Sequence, residues 1–166
     1  MNELKILENK KIIIVDDEAD VLETMVDLLN MCRIDTALNF ETAEKLLDEN
    51  TYDMAILDIM GVRGYDLLKI AQQRGTATLM FTAHAVTPDA FVKSMENGAN
   101  AFIPKEKMTD IATYVAELLK AKQAGIKRSR SWFERLRSFF EQQFGRDWLD
   151  RYKEAREKYD WLDFDD

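Results

Sequence analysis

Five polar residues stand where short apolar runs end. Asp16 and Asp17 follow KIIIV, Asp58 follows MAIL, Thr82 follows ATLMF and Lys105 follows AFIP. Three neighbouring carboxylates repel and raise one another's pKa. A divalent cation removes that repulsion, and an all-oxygen donor set that keeps several waters suits Mg²⁺. The cation and the Lys105 ammonium can neutralise phosphoryl oxygens while Thr82 donates a hydrogen bond to another. A carboxylate such as that of Asp58 can then attack phosphorus and carry an aspartyl phosphate. Beyond positioning and charge compensation, such a transfer asks little of the protein. Singly, these residues mean less: acids after a strand commonly cap the next helix, and a lone threonine is a turn residue.

The elements that must hold them can be read from periodicity. Residues 11–15, 34–38, 54–57, 77–81 and 101–103 are short, mostly apolar and strand-like. Between them lie helical patterns over 19–31, 41–49, 65–73, 88–97 and from 109 toward 123. Asn39 and Thr87 are placed to cap the second and fourth helices, with Pro88 suited to a first helical turn and Gly98 to a stop. Five strand–helix repeats predict an α/β fold: a doubly wound, five-stranded parallel sheet with right-handed crossovers. Nearly all-apolar strands fit a sheet covered on both faces. In such sheets ligands gather outside the carboxyl ends of the strands, where the five polar residues fall.

Composition narrows the classes. The chain has 166 residues, 46% of them hydrophobic and 33% charged, which suits a folded core. One cysteine and one histidine exclude an internal disulfide, a cysteine-rich zinc site and a multi-histidine metal site. No membrane span or secretory leader is predicted, so a cytoplasmic setting is expected. A net charge of −8 makes sequence-independent nucleic-acid binding a poor expectation. Charge is uneven: residues 1–125 carry 13 Lys and Arg against 21 Asp and Glu, whereas residues 126–166 carry 10 of each. Seven aromatics fall in the first part and ten in the second. We therefore divide the chain into a domain over 1–125 and a helical, aromatic-rich extension over 126–166.

The segments IIIVDDE, AILDIM, LMFTA and FIPK, in that order and spacing, resemble the receiver domain of two-component response regulators over residues 10–123. That resemblance implies a flavodoxin-like sheet of order 2-1-3-4-5. It implies Asp58 as phosphoacceptor, with Thr82 and Lys105 as the other two residues that act on the phosphoryl group. Asp17 would be a direct Mg²⁺ ligand and Asp16 its acidic neighbour, with further ligation from Asp58 and the Met60 carbonyl. Thr82 and Phe102 would be the switch pair. A sensor histidine kinase or a histidine phosphotransfer protein would be the donor, and output would run through the fourth helix, fifth strand and fifth helix.

Two departures from the family pattern matter. Asp58 is followed by Ile59-Met60-Gly61-Val62-Arg63-Gly64, most simply aligned with a loop two residues shorter than usual and lacking its proline. Lys105 is followed by Glu106 rather than proline, so a trans Lys105–Glu106 bond is expected, a non-proline cis bond costing about 2.5–4 kcal/mol. His84, two residues past Thr82, falls at the rim. It reads either as a solvated loop histidine or, together with Met60, as a determinant of how fast water removes the phosphoryl group. Cys32 reads as a small buried hydrophobe.

The extension reads as two helices. Trp132, Leu136, Phe139, Phe140 and Phe144 form one stripe, Gly145 interrupts, and Trp148, Tyr152, Ala155, Tyr159 and Leu162 form a heptad-like seam. Such stripes need a cover. Pairing with a second copy, as a homodimer through the C-terminal helices, is the favoured expectation. Docking on the chain's own receiver and docking on another protein are the alternatives. The basic positions Lys127, Arg128, Arg130, Arg135 and Arg137 are the best argument for a compact DNA-binding regulator using residues 127–137. Without a recognition-helix pattern, a solvated helix face is the better reading, and output by protein–protein contact is expected. A Mg²⁺-dependent phosphatase-like enzyme is disfavoured, since such enzymes commonly carry a second catalytic acid where this chain has Met60. Handing the phosphoryl group onward in a phosphorelay is the other signalling alternative.

Overall fold

In the computed structural model, which describes residues 3–126, 129–148 and 150, five strands form one parallel sheet in the order β2-β1-β3-β4-β5. They are β1 (Lys11–Val15), β2 (Arg33–Ala37), β3 (Met54–Leu57), β4 (Ala77–Thr82) and β5 (Ala101–Pro104). Ile12, Ile13, Ile14, Ala55, Ile56, Leu79, Met80 and Phe102 are buried, as strands covered on both faces require. The order reverses between β1 and β3, so the carboxyl ends of these two strands flank a crevice. Register sets the ends level: Val15 lies beside Leu57, and Thr82 beside Pro104. The next residues, Asp16, Asp58 and Lys105, therefore emerge at one rim.

The helices are α1 (Ala19–Leu28), α2 (Phe40–Glu49), α3 (Gly64–Gln73), α4 (Pro88–Glu96), α5 (Ile111–Gln123) and α6 (Ser131–Phe144). Asn39 accepts a hydrogen bond from the Thr42 amide (2.9 Å) and Thr87 one from the Ala90 amide (3.1 Å), so both expected caps are made. Helix α1 stops at Leu28, three residues short of expectation. Leu29 leaves helical geometry yet remains fully buried. An apolar residue that keeps the helical spacing after the helix has ended conceals the terminus, and no glycine or proline marks it. A 3₁₀ segment, Lys105–Asp110, precedes α5 where the pattern suggested only the helix.

The first extension helix is present as α6, and its stripe is covered by the chain's own receiver. Trp132, Phe133, Leu136, Phe140 and Trp148 are buried, with Phe139 and Phe144 half-buried. Among the described residues, the α6 stripe is thus packed as the intramolecular alternative has it. The physical reason lies in α4 and β5. The Phe91 ring sits 6.0 Å from that of Trp132, 5.9 Å from Phe133, 5.3 Å from Phe140 and 5.4 Å from Trp148, and 5.5 Å from Phe102 beneath it. Offset and edge-on aromatic pairs at such spacings stabilise beyond their area. Beyond Trp148, the expected seam of Tyr152, Ala155, Tyr159 and Leu162 lies outside the described residues, as do Lys127 and Arg128. No helix among the described residues is long and apolar enough to cross a membrane.

Candidate functional site

Asp16, Asp58 and Lys105 converge. The Lys105 Nζ lies 2.7 Å from Asp16 Oδ2 and donates to Asp58 Oδ2 at 3.1 Å. Glu18 Oε1 stands 3.4 Å from the same nitrogen. All three of the first-named side chains are buried, and Glu18 and Asp17 are exposed. The strands dictate this. Each side chain follows an apolar strand that cannot leave the sheet, so the first polar residue after it is fixed in space. The Lys105–Glu106 bond is trans, and Lys105 still reaches both carboxylates.

Local backbone completes the placement. Asp58 Oδ1 accepts from the Ile59 amide (2.8 Å), and Asp16 Oδ1 accepts from the Glu18 amide (2.9 Å). Burial pushes the Asp16 carboxyl above its ordinary pKa, and the negative charge of Asp58 adds to that; the hydrogen bond from Lys105 opposes it. Burial pushes Lys105 the other way, but its bonds to Asp16 and Asp58 outweigh it and hold the ammonium above its ordinary value. The rim is therefore a buried carboxyl pair bridged by one lysine.

Asp16, Asp17 and Glu18 each offer an oxygen within 4.8 Å of the others. An all-oxygen set with two of its three acids open to water fits a hard divalent cation that retains several waters, and Mg²⁺ is such an ion. Thr82 is fully buried, and its hydroxyl accepts the Ala85 amide at 3.4 Å. Phe102 is fully buried beneath Phe91. Met60, two residues past Asp58, is 54% exposed. The His84 side chain is 71% exposed, with Nε2 4.0 Å from Glu18. A cleft of about 200 Å³ is lined by Thr82, His84 and Lys105 and also by Phe139 and Gln143 of α6.

Three features escaped sequence reasoning. Glu18 shares Lys105, though at sequence level it looked like a helix-start acid. Phe139 and Gln143 wall the cleft from 34 residues beyond Lys105, a proximity with no local signal. The glycines of the loop after Asp58 carry the third. Gly61 has φ +83°, and a Cβ there would sit inside the van der Waals radius of Asp17 Oδ2. Gly64 abuts the Asp58 carbonyl just as closely. Gly61→Ala is therefore expected to push the Asp17 carboxylate aside and strain the backbone. The expected result is about tenfold weaker Mg²⁺ binding, roughly 1.4 kcal/mol, measured by titration calorimetry. Unchanged affinity would show that Asp17 does not contribute to the ion site.

The family model described as "Response regulator receiver domain" matches residues 12–116. Response regulator protein PilR of Pseudomonas aeruginosa is 31% identical over 105 residues, covering 60% of this chain and 23% of that protein. The chain thus matches less than a quarter of that relative's length. Among solved structures, a CheY-like response regulator receiver domain protein from Methanospirillum hungatei is 24% identical with a TM-score of 0.65, covering 71% of this chain and 99% of that one. The BeF3-activated receiver domain of DrrB, a protein of Thermotoga maritima, is 25% identical with a TM-score of 0.60, covering 68% of this chain and 98% of that one.

Proposed function

The chain belongs to the response regulator receiver domain family of two-component signalling, and from that premise we propose that it accepts a phosphoryl group on Asp58. The donor is a phosphohistidine of a sensor kinase or phosphotransfer protein. An Asp58 carboxylate oxygen forms a bond to phosphorus, the phosphorus–nitrogen bond breaks, and the imidazole leaves as the neutral ring after taking a proton. Hydrolysis returns the free carboxylate and inorganic phosphate, a reaction the site assists on itself; the protein is otherwise a signalling device rather than an enzyme. The observation that carries this reading is the shared lysine: Lys105 Nζ stands 3.1 Å from Asp58 and 2.7 Å from Asp16 at the sheet's carboxyl rim.

Asp16, Asp17, Asp58 and the Met60 carbonyl are the residues that would hold Mg²⁺, which when bound supplies positive charge to the phosphoryl oxygens. Lys105 supplies the remaining charge from the opposite side. Thr82 turns its hydroxyl from the Ala85 amide to a phosphoryl oxygen, and Phe102 is its partner in the switch. Met60 and His84 flank the opening and set how readily water reaches the phosphorus. The signal then passes by protein–protein contact in the cytoplasm. DNA is a weaker fit as the output. Arg130 and Arg137 both pair with Glu134, at 3.1 and 2.7 Å, and Arg135 pairs with Glu117 at 2.6 Å, so these charges are already engaged.

Incubation with a small phosphodonor, read by intact mass, is expected to add one phosphoryl group with Mg²⁺ and none in chelator. Addition that ignores Mg²⁺ would sink the reading. Followed in time, the same measurement on His84→Ala and Met60→Asn is expected to show altered phosphoryl lifetimes; unchanged lifetimes in both would remove these side chains from the account.

A further inference from the structure

We infer that Gln143 of α6 is a positioning residue for removal of the phosphoryl group, its side-chain amide orienting the attacking water; this rests on the phosphoacceptor reading above.

The first observation is that the extension reaches the site. Gln143 and Phe139 line the same cleft as Thr82 and Lys105. Four residues apart on one helix, the two share a face. A cleft of about 200 Å³ has room for several waters. Water held there has among its neighbours both the Gln143 amide and the two side chains that engage the phosphoryl oxygens.

The second observation is what else in the cleft could direct a water. Apart from Thr82 and Lys105, three of its lining side chains among the described residues can hydrogen-bond: His84, Glu106 and Gln143. The Glu106 carboxylate only accepts, and its negative charge is repelled by phosphoryl oxygens. The His84 side chain is largely in solvent, with Nε2 4.0 Å from Glu18. The Gln143 amide is neutral and carries both an acceptor and donors. Its Oε1 can accept from the water while its Nε2 donates to a phosphoryl oxygen. One side chain then holds the nucleophile against phosphorus, the task of a water-orienting glutamine in phosphoryl transfer to water.

The third observation is that this amide rides on a fixed support. The Phe139 ring lies 5.4 Å from the Lys107 ammonium, on the 3₁₀ segment that Lys105 begins. That contact ties α6 to the segment carrying the lysine. Beyond it, Phe140 stacks on Phe144 at 5.4 Å, and both meet the Trp148 ring, at 5.8 and 5.1 Å. The Gly145 amide donates to the Glu141 carbonyl at 3.0 Å and closes the last turn. The backbone of Gln143 is thus held from both directions along the chain, while its side chain is exposed and can turn to a bound group. A rigid support is what lets a side chain orient a water effectively.

The step is simple. The water oxygen forms a bond to phosphorus as the bond between phosphorus and the Asp58 oxygen breaks. Asp58 returns as a carboxylate, one water proton passes to a phosphoryl oxygen, and inorganic phosphate leaves. Gln143 neither gains nor loses a proton.

The test phosphorylates the full chain with a small phosphodonor and Mg²⁺, removes the donor and follows loss of the phosphoryl group by intact mass. Gln143→Met keeps the length and bulk of the side chain and deletes the amide. The expected result is a phosphoryl lifetime about tenfold longer, the scale on which lost positioning acts. Uptake is expected to proceed at the wild-type rate, since no water attacks in that step. Hydrogen exchange of residues 131–144 is expected to be unchanged, which separates the amide from the packing of the helix. Gln142→Met, at the exposed neighbour outside the cleft, is expected to keep the wild-type lifetime. An unchanged or shorter lifetime in Gln143→Met overturns the inference and leaves the phosphoacceptor reading standing. A longer lifetime that comes with slower uptake or faster α6 exchange, or that Gln142→Met reproduces, reports helix packing and also overturns it. A chain that takes no phosphoryl group overturns both.

Discussion

Asp58→Asn is expected to lower Mg²⁺-dependent phosphoryl uptake by at least about a thousandfold, the scale on which removal of a covalent nucleophile acts. An amide nitrogen cannot attack phosphorus as a carboxylate oxygen can, and the amide oxygen is a far weaker nucleophile. The fold should be largely indifferent. Asp58 makes two bonds, accepting from the Ile59 amide and from Lys105, and an asparagine oxygen of the same size can retain one of them. The substitution also removes the negative charge that helps hold the Asp16 carboxyl above its ordinary pKa. A loss of uptake with a near-normal urea midpoint is therefore the expected pair of results. Uptake that survives the substitution would mean that another acid carries the phosphoryl group.

Lys105→Met is expected to have the largest effect on stability at the site. The substitution keeps most of the side-chain bulk and deletes the ammonium, leaving Asp16 and Asp58 buried with no counter-charge. Breaking a buried ion pair from one side typically costs about 3–5 kcal/mol. That is a large share of the total for a domain of this size. Urea unfolding in chelator at neutral pH would measure it. Mg²⁺ is expected to restore part of the loss, because a divalent ion among the acids supplies the missing positive charge. The pH dependence has a definite sign. Lys105 is held above its ordinary pKa in the folded state, so its contribution is fully present below the unfolded value and is lost as pH rises through the folded one. Wild type and variant should thus differ at neutral pH and converge in strong alkali. A difference under about 1 kcal/mol in chelator would place the lysine among weakly contributing surface charges.

These two experiments address the part of the molecule that was legible from the sequence. KIIIV-Asp-Asp, MAIL-Asp and AFIP-Lys each couple an apolar strand to a polar residue at its end. Once the alternation implies a parallel sheet, those ends must share a rim. Gly61 and Gly64, in the loop after Asp58, were also visible. That they are glycines for lack of space, one against Asp17 and the other against the Asp58 carbonyl, was not.

The amino-acid order by itself determined the α/β sheet, its polar rim and the existence of an aromatic helix in need of a cover, because all three follow from local periodicity and from the rule that apolar surface is buried. Tertiary structure alone decided where that helix went. The stripe from Trp132 to Phe140 offers the same apolar surface to a second copy, to another protein or to its own receiver, and nothing in its spacing separates these choices. The aromatic acceptor, Phe91, lies 41 residues before Trp132 in the chain, and only the folded sheet brings its ring to within 6.0 Å. Glu18 near Lys105 and Gln143 beside the cleft are decided in the same way: periodicity is a property of neighbours in the chain, whereas these contacts depend on the three-dimensional path between them.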